Sequence, residues 1–111
     1  MDVQSIQKLL KSFSEENIEF DDPHFTERLI ENSMTKDKII DFILNQTNKI
    51  HNVIEDRSKV YKVYFKLTEK RQLKVILDNI KHGKIMIRTI KILDRKLYKK
   101  IKTIKRNRRY R

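Results

Sequence analysis

The sequence predicts an α+β protein in which N-terminal helices pack on a three- or four-stranded antiparallel sheet. Two patterns predict this class. Apolar residues recur every three or four positions in the first half of the chain, as in amphipathic helices, and alternate with polar residues from Val60 onward, as in half-buried strands. A chain of 111 residues is long enough for one domain with a core. We therefore predict a single domain over residues 1–94 and a basic C-terminal helix or tail over residues 95–111.

Two helices are expected before residue 34. The first has one apolar stripe at helical spacing, formed by Val3, Ile6, Leu9, Leu10 and Phe13. The second should have Asp22 as its N-cap and Pro23 as its first residue, because the first turn leaves N–H groups unbonded and proline has none. This helix should end near Ser33. The residues it is expected to bury are Phe25, Leu29 and Ile30.

A third helix and four strands are expected to follow. The helix should begin at the N-cap Thr35 and end over residues 45–48. Its apolar face comprises Ile39, Ile40, Ile43 and Leu44. The expected strands span residues 49–55, 60–67, 73–77 and 85–92. Short turns separate them, and the only glycine, Gly83, lies in the last turn, so neighbouring strands should pair antiparallel.

Charge is distributed very unevenly along the chain. Residues 1–56 contain 6 Lys and Arg against 12 Asp and Glu, whereas residues 57–111 contain 21 against 3. A surface of one sign attracts polymers of the opposite sign and accelerates their encounter. The basic half therefore predicts binding to a polyanion, and RNA is the one we expect. Charge alone leaves open an acidic partner protein.

Several classes of function are disfavoured by what the sequence lacks. One glycine cannot build a Gly-rich phosphate-binding loop, and His24, His51 and His82 do not have metal-ligand spacing. We therefore expect no metal and no small-molecule cofactor. The absence of cysteine fits the reducing cytoplasm, and no apolar run approaches the roughly 20 residues that span a bilayer. The expected location is cytoplasmic, without membrane contact.

Two groups of residues are candidates for catalysis. His24 and Arg28 lie at i and i+4 on the second predicted helix, where an imidazole that exchanges protons and a guanidinium that binds phosphate would serve phosphodiester cleavage. The second group projects from the sheet face away from the core and comprises Lys62, Tyr64 and Arg88. Cations there would stabilise charge on phosphorus, and the tyrosine would stack on an unpaired base. A solvated or ion-paired role is the alternative for both groups.

Further cations are expected to bind phosphates. Lys66 and Lys74 share the predicted sheet face. In the tail, ten of seventeen residues are basic and none is acidic, a composition that provides sequence-independent phosphate affinity. These ten are Arg95, Lys96, Lys99, Lys100, Lys102, Lys105, Arg106, Arg108, Arg109 and Arg111. Docking on an acidic partner is the alternative, and a membrane-surface helix is less favoured because its apolar stripe is narrow.

A family resemblance covers residues 18–93. The segment Asp22-Pro23-His24-Phe25-Thr26-Glu27-Arg28 is followed by a second helix and by strand-like segments, of which residues 85–89 end in Thr. This layout resembles the small bacterial and archaeal domains related to the BrnT and RelE toxins. Those domains open with an H-x-x-x-R helix, continue with a second helix and end in an antiparallel sheet whose last core strand often ends in Thr. His24 and Arg28 match the motif.

The resemblance implies a RelE-like fold and a toxin that cleaves RNA without a metal, including ribosome-associated mRNA, under the control of an acidic antitoxin. RelE-type toxins work with scattered cationic and aromatic residues on the sheet. Lys62, Tyr64, Lys74 and Arg88 match only that general character. Because a fold does not determine a function, two alternatives stay open. These are a non-catalytic nucleic-acid-binding module and an interaction protein that clasps an acidic partner.

Overall fold

The computed structural model describes residues 1–81 and 83–94. Three α-helices and five β-strands make up this part of the chain: α1 (Val3–Lys11), β1 (Ile18–Phe20), α2 (His24–Glu31), α3 (Lys36–Asn45), β2 (Ile50–Arg57), β3 (Val60–Lys66), β4 (Arg71–Lys81) and β5 (Lys84–Asp94). Short 3-10 turns precede β1 and β2. The predicted α+β class is confirmed. None of the helices within these residues is long and apolar enough to cross a membrane.

One mixed sheet contains all five strands, in the order β1-β5-β4-β3-β2. The last four strands form the predicted antiparallel meander. β1 adds a strand parallel to β5, with Ile18 opposite Ile85 and Phe20 opposite Ile87. The prediction of three or four strands, all antiparallel, is therefore wrong. A strand of three residues is too short to show alternation, and its partner lies far along the chain.

The helices cover one face of the sheet, and the core lies between the two layers. Fully buried side chains come from both layers and include Ile6, Leu10, Phe25, Ile39, Ile43, Val63, Phe65, Leu73, Leu77, Ile85, Ile87 and Ile90. Burial of each such side chain stabilises the fold by about 1.5–3 kcal/mol. Because strand residues alternate between faces, their neighbours point away from the helices. We call this second surface the outer face; it carries Lys62, Tyr64, Lys74, Arg88 and Lys91.

α2 departs from the prediction at its start and on its buried side. The helix begins one residue later than predicted, and Pro23 occupies the N-cap position. Asp22 still caps the first turn, because its Oδ1 accepts hydrogen bonds from the Thr26 N–H at 3.2 Å and the Thr26 hydroxyl at 2.6 Å. Ile30 was expected in the core but is 75% exposed. Its position is rotated by about 100° around the helix from the buried Leu29.

The predicted boundaries of α3 agree with the structure, whereas α2 ends at Glu31, two residues before the predicted Ser33. Thr35 is the N-cap of α3, and its hydroxyl accepts a hydrogen bond from the Lys38 N–H at 3.2 Å. α3 ends at Asn45, within the predicted range. Gly83 lies in the turn between β4 and β5 with a φ of 71°, a backbone conformation that favours glycine. The predicted C-terminal helix or tail lies outside the described residues.

Candidate nucleic-acid interface

Three lysines from three adjacent strands meet on the outer face. Lys74 of β4 lies directly opposite Lys91 of β5, and Lys62 of β3 is diagonal to Lys74. We call these three residues the lysine cluster. Lys62 approaches Asp56 at 3.9 Å, whereas no carboxylate of the described chain lies within ion-pair distance of Lys74 or Lys91. The cluster is therefore a concentration of positive charge with little internal compensation.

The lysine cluster is electrostatically unfavourable in the free protein. Burial lowers the pKa of Lys74, and the charges of Lys62 and Lys91 lower it further. Like charges placed opposite each other across strands destabilise a sheet by about 0.2–1 kcal/mol. An anionic ligand would remove this repulsion, which makes the cluster a candidate binding site.

An open groove of about 870 Å³ lies beside the cluster on the outer face. Its cationic and aromatic lining consists of His51, Tyr64, Lys66, Lys70, Arg71 and Lys74. The ring centroids of His51 and Tyr64 are 6.4 Å apart, and the rings are inclined by 51°. At the rim, Arg71 forms an ion pair with Asp94 at 3.5 Å. The groove thus brings two rings and several cations, together with the carboxylates of Glu69 and Asp94, to one surface. Rings beside cations suit a nucleotide chain.

A β-bulge directs His51 into this groove. Ile50 pairs with Phe65 and Asn52 pairs with Tyr64, so that His51 is the extra residue on β2. A bulge interrupts strict alternation and changes the direction of a side chain, and bulges are frequent next to functional sites. Here the bulge lets Ile50 remain in the core while both of the next two residues line the groove.

Arg88 forms a separate, charge-compensated cluster on the outer face. Its Nε and Nη2 lie 2.7 and 2.6 Å from Asp78 Oδ2, and its Nη1 lies 3.2 Å from Asp21 Oδ2. Hydrogen bonds to Asp78 and then to Asp21 raise the pKa of Arg88. The guanidinium therefore joins β5 to β4 and to the segment after β1. A phosphate at Arg88 would have to compete with two carboxylates.

His24 and Arg28 lie on the other side of the sheet from Lys62 and Tyr64. They are exposed on α2, which packs against β5 on the helix-covered face. Arg28 Nη1 forms an ion pair with Glu31 Oε2 at 2.8 Å on the same helix. The structure therefore does not bring the two groups of predicted catalytic residues into one site. The predicted residues that it does bring together are Lys62, Tyr64, Lys66 and Lys74.

Four residues of this surface were absent from the predicted site: His51, Lys70, Arg71 and Lys91. Lys91 lies between Ile90 and Ile92 in the sequence, so the alternation of β5 contains a signal for its position on the outer face. The ten predicted tail cations, at residues 95–111, lie outside the described residues.

Comparison with models of protein families, with curated proteins and with solved structures yields no match to this chain. Over residues 1–81 and 83–94, no three His, Asp or Glu side chains lie together in an arrangement that would hold a metal ion. The geometry of the outer face is therefore the basis for a functional proposal.

Proposed function

We propose that this protein binds RNA through the outer face of its sheet. The observation that carries the proposal is the lysine cluster, in which Lys74 and Lys91 face each other without a carboxylate at ion-pair distance in the described part of the chain. Phosphate groups would replace the missing counter-charges. The basic residues at 95–111 would add affinity that does not depend on sequence.

The groove favours an unpaired strand of RNA over an acidic protein. The rings of Tyr64 and His51 line the groove together with Lys74, and unpaired bases stack on aromatic rings while the RNA backbone contacts cations. A duplex hides its bases and would leave these rings unused. An acidic protein would use the cations alone.

The order of elements supports a RelE-like, toxin-type protein as the finer form of this proposal. A helix with His24 and Arg28 is followed by a second helix and then by a four-stranded antiparallel meander, whose last strand contains Thr89. From α2 onward this order is the one expected from the resemblance, but α1 and β1 precede the helix, and Thr89 lies within β5 and not at its end. An acidic antitoxin would then neutralise the lysine cluster in the absence of RNA. Expression in a bacterial host should arrest growth, and normal growth at high expression would contradict the toxin-type assignment.

Fluorescence anisotropy with labelled single-stranded and duplex RNA tests the binding proposal. Each change Lys62→Gln, Lys74→Gln or Lys91→Gln should weaken binding and reduce the slope of log K against log salt by about 0.7, the value for one phosphate contact on a single strand. Lys38→Gln is the matched control, because Lys38 is an exposed lysine on α3. It should leave the slope unchanged.

A second variant separates the outer face from the tail. In the full chain, all ten Lys and Arg residues at 95–111 are replaced by Gln. This variant should bind more weakly but keep the preference for single strands, which we assign to the groove. Equal loss of affinity from the control and cluster variants would refute the outer-face assignment. Binding of an acidic protein together with indifference to RNA would establish the alternative.

A further inference from the structure

The groove contains a histidine and a lysine, two side chains that can accept a proton from RNA or donate one to it. His51 is an exposed imidazole that the bulge in β2 places 6.4 Å, between ring centroids, from Tyr64. Tyr64 is the direct cross-strand partner of Lys74, and all three residues line the groove. Histidine is the side chain best suited to accept or donate a proton near neutral pH. The lysine cluster lies at the same place and provides fixed positive charge.

We propose that His51 and Lys74 cleave the RNA strand that binds in this groove, with Tyr64 stacking on a base to hold the strand in position. The inference rests on the proposed RNA binding. It replaces His24 and Arg28 by groove residues as the groups that act on the phosphodiester. The substrate class is single-stranded RNA with a free 2′-hydroxyl at the cleavage position.

The reaction uses only the RNA and the side chains of the protein. His51 accepts the proton of the 2′-hydroxyl, and the 2′-oxygen forms a bond to the adjacent phosphorus. The bond between phosphorus and the 5′-oxygen breaks, and the ammonium group of Lys74 donates a proton to that oxygen. The products are a 2′,3′-cyclic phosphate and a 5′-hydroxyl. His51 then returns its proton to solvent and Lys74 regains one, so no oxidant, reductant or water is consumed.

The surroundings of Lys74 suit the role of proton donor. An ordinary lysine holds its proton too strongly to be an efficient acid near neutral pH. Burial lowers the pKa of Lys74, and so do Lys62 and Lys91. The last two lysines would also stabilise the negative charge that develops on the phosphoryl oxygens in the transition state.

The first experiment uses the full chain and a pool of random-sequence RNA in the presence of a chelator, with product ends mapped by sequencing. We expect cleavage that leaves cyclic phosphate ends, and a bell-shaped dependence of rate on pH. At saturating RNA, where weaker binding no longer limits the rate, His51→Gln should slow cleavage by about a hundredfold or more. His24→Gln tests the alternative catalytic histidine on α2, and Lys38→Gln, at an exposed lysine of α3, is the control that should cleave at the wild-type rate. A 2′-deoxy substitution at the mapped position should prevent cleavage.

A second experiment separates the roles of base and acid. Lys74→Arg keeps the positive charge but removes the proton donor, so it should bind RNA normally and cleave it about a hundredfold more slowly. A substrate with sulfur in place of the 5′-oxygen has a leaving group that needs no proton. Lys74→Arg should cleave that substrate at nearly the wild-type rate, whereas His51→Gln should remain slow.

The outcomes distinguish this inference from the binding proposal on which it rests. RNA that binds the outer face but is not cleaved anywhere in the pool overturns the catalytic site and leaves RNA binding intact. Wild-type cleavage by His51→Gln, or loss of cleavage in His24→Gln alone, also overturns it. Failure of the wild-type protein to bind any RNA overturns both.

Discussion

The lysine cluster should lower the stability of the free protein while it raises affinity for RNA, and Lys74→Met separates these two effects. Methionine keeps the length of the side chain and removes the charge. Because Lys74 lies opposite Lys91 and diagonal to Lys62, the substitution removes repulsion worth about 0.2–1 kcal/mol. We expect the free energy of unfolding at pH 7 to rise by about 0.5 kcal/mol. For a small protein this moves the urea midpoint up by about 0.3 M.

The stability difference between Lys74→Met and wild type should depend on pH. The folded protein lowers the pKa of Lys74, through burial and then the charges of Lys62 and Lys91, whereas the unfolded chain keeps the ordinary value of 10.5. Between these two pKa values the unfolded state holds a proton that the folded state has released, so the stability of the wild type rises with pH. The advantage of the variant is therefore largest below the lowered pKa. It should shrink as the pH approaches 10.5.

The same substitution should have the opposite effect on RNA binding. Lys74→Met should bind single-stranded RNA more weakly, with a salt slope smaller by about 0.7. Lys38→Met on α3 is the control for both measurements and should change neither the urea midpoint nor the slope. A Lys74→Met protein that is less stable than wild type at pH 7, or that keeps the full salt slope, would refute this account of the cluster.

Three further predictions concern stability. Arg88→Met leaves the Asp78 side chain, which is only 12% exposed, without its cation. It should lower the free energy of unfolding in urea by about 2 kcal/mol and leave RNA affinity within twofold. A large loss of affinity would show that Arg88 contacts RNA. Thr35→Ala removes the side-chain cap of α3 and should cost about 1 kcal/mol in thermal unfolding, and an unchanged midpoint would contradict this. Gly83→Ala should cost about 1 kcal/mol through its positive φ, since no atom of the described residues, chain neighbours aside, lies within 4 Å of the added Cβ; a neutral result would mean that the turn relaxes.

The parts of the fold that sequence patterns predicted are those that depend on local periodicity. All but the last residue of the stripe that begins at Val3 lies in α1, and the alternation around Val63 lies in β3. β1 was missed because its stability comes from pairing with β5 and not from its three residues. Ile30 was misplaced for a related reason. An apolar residue at the edge of a helical stripe is buried only if another element covers it, which the local pattern does not show.

The site was predictable only where alternation continues without interruption. Regular alternation of β3 correctly placed Lys62 and Tyr64 on the outer face. His51 occupies a bulge, and the face of a bulged residue depends on the register between two strands, since a shift of one residue reverses the side. Arg88 also lies at an irregularity of the sheet, and its partner Asp21 is distant in the sequence. The sequence therefore shows that Arg88 is positively charged, but only the tertiary structure shows that it forms ion pairs.

The distribution of paired and unpaired charge divides the outer face into two regions. Near β1, Arg88 is held by two carboxylates and Lys84 approaches Glu19 at 3.9 Å, so positive charge there is largely compensated. Toward the groove, Lys74 is repelled by Lys62 and Lys91, and among the described residues no carboxylate lies within ion-pair distance of Lys74 or Lys91. A polyanion gains most by contacting the second region. In our proposal, this distribution of charge would direct the phosphates of RNA toward the groove, beside the rings of Tyr64 and His51.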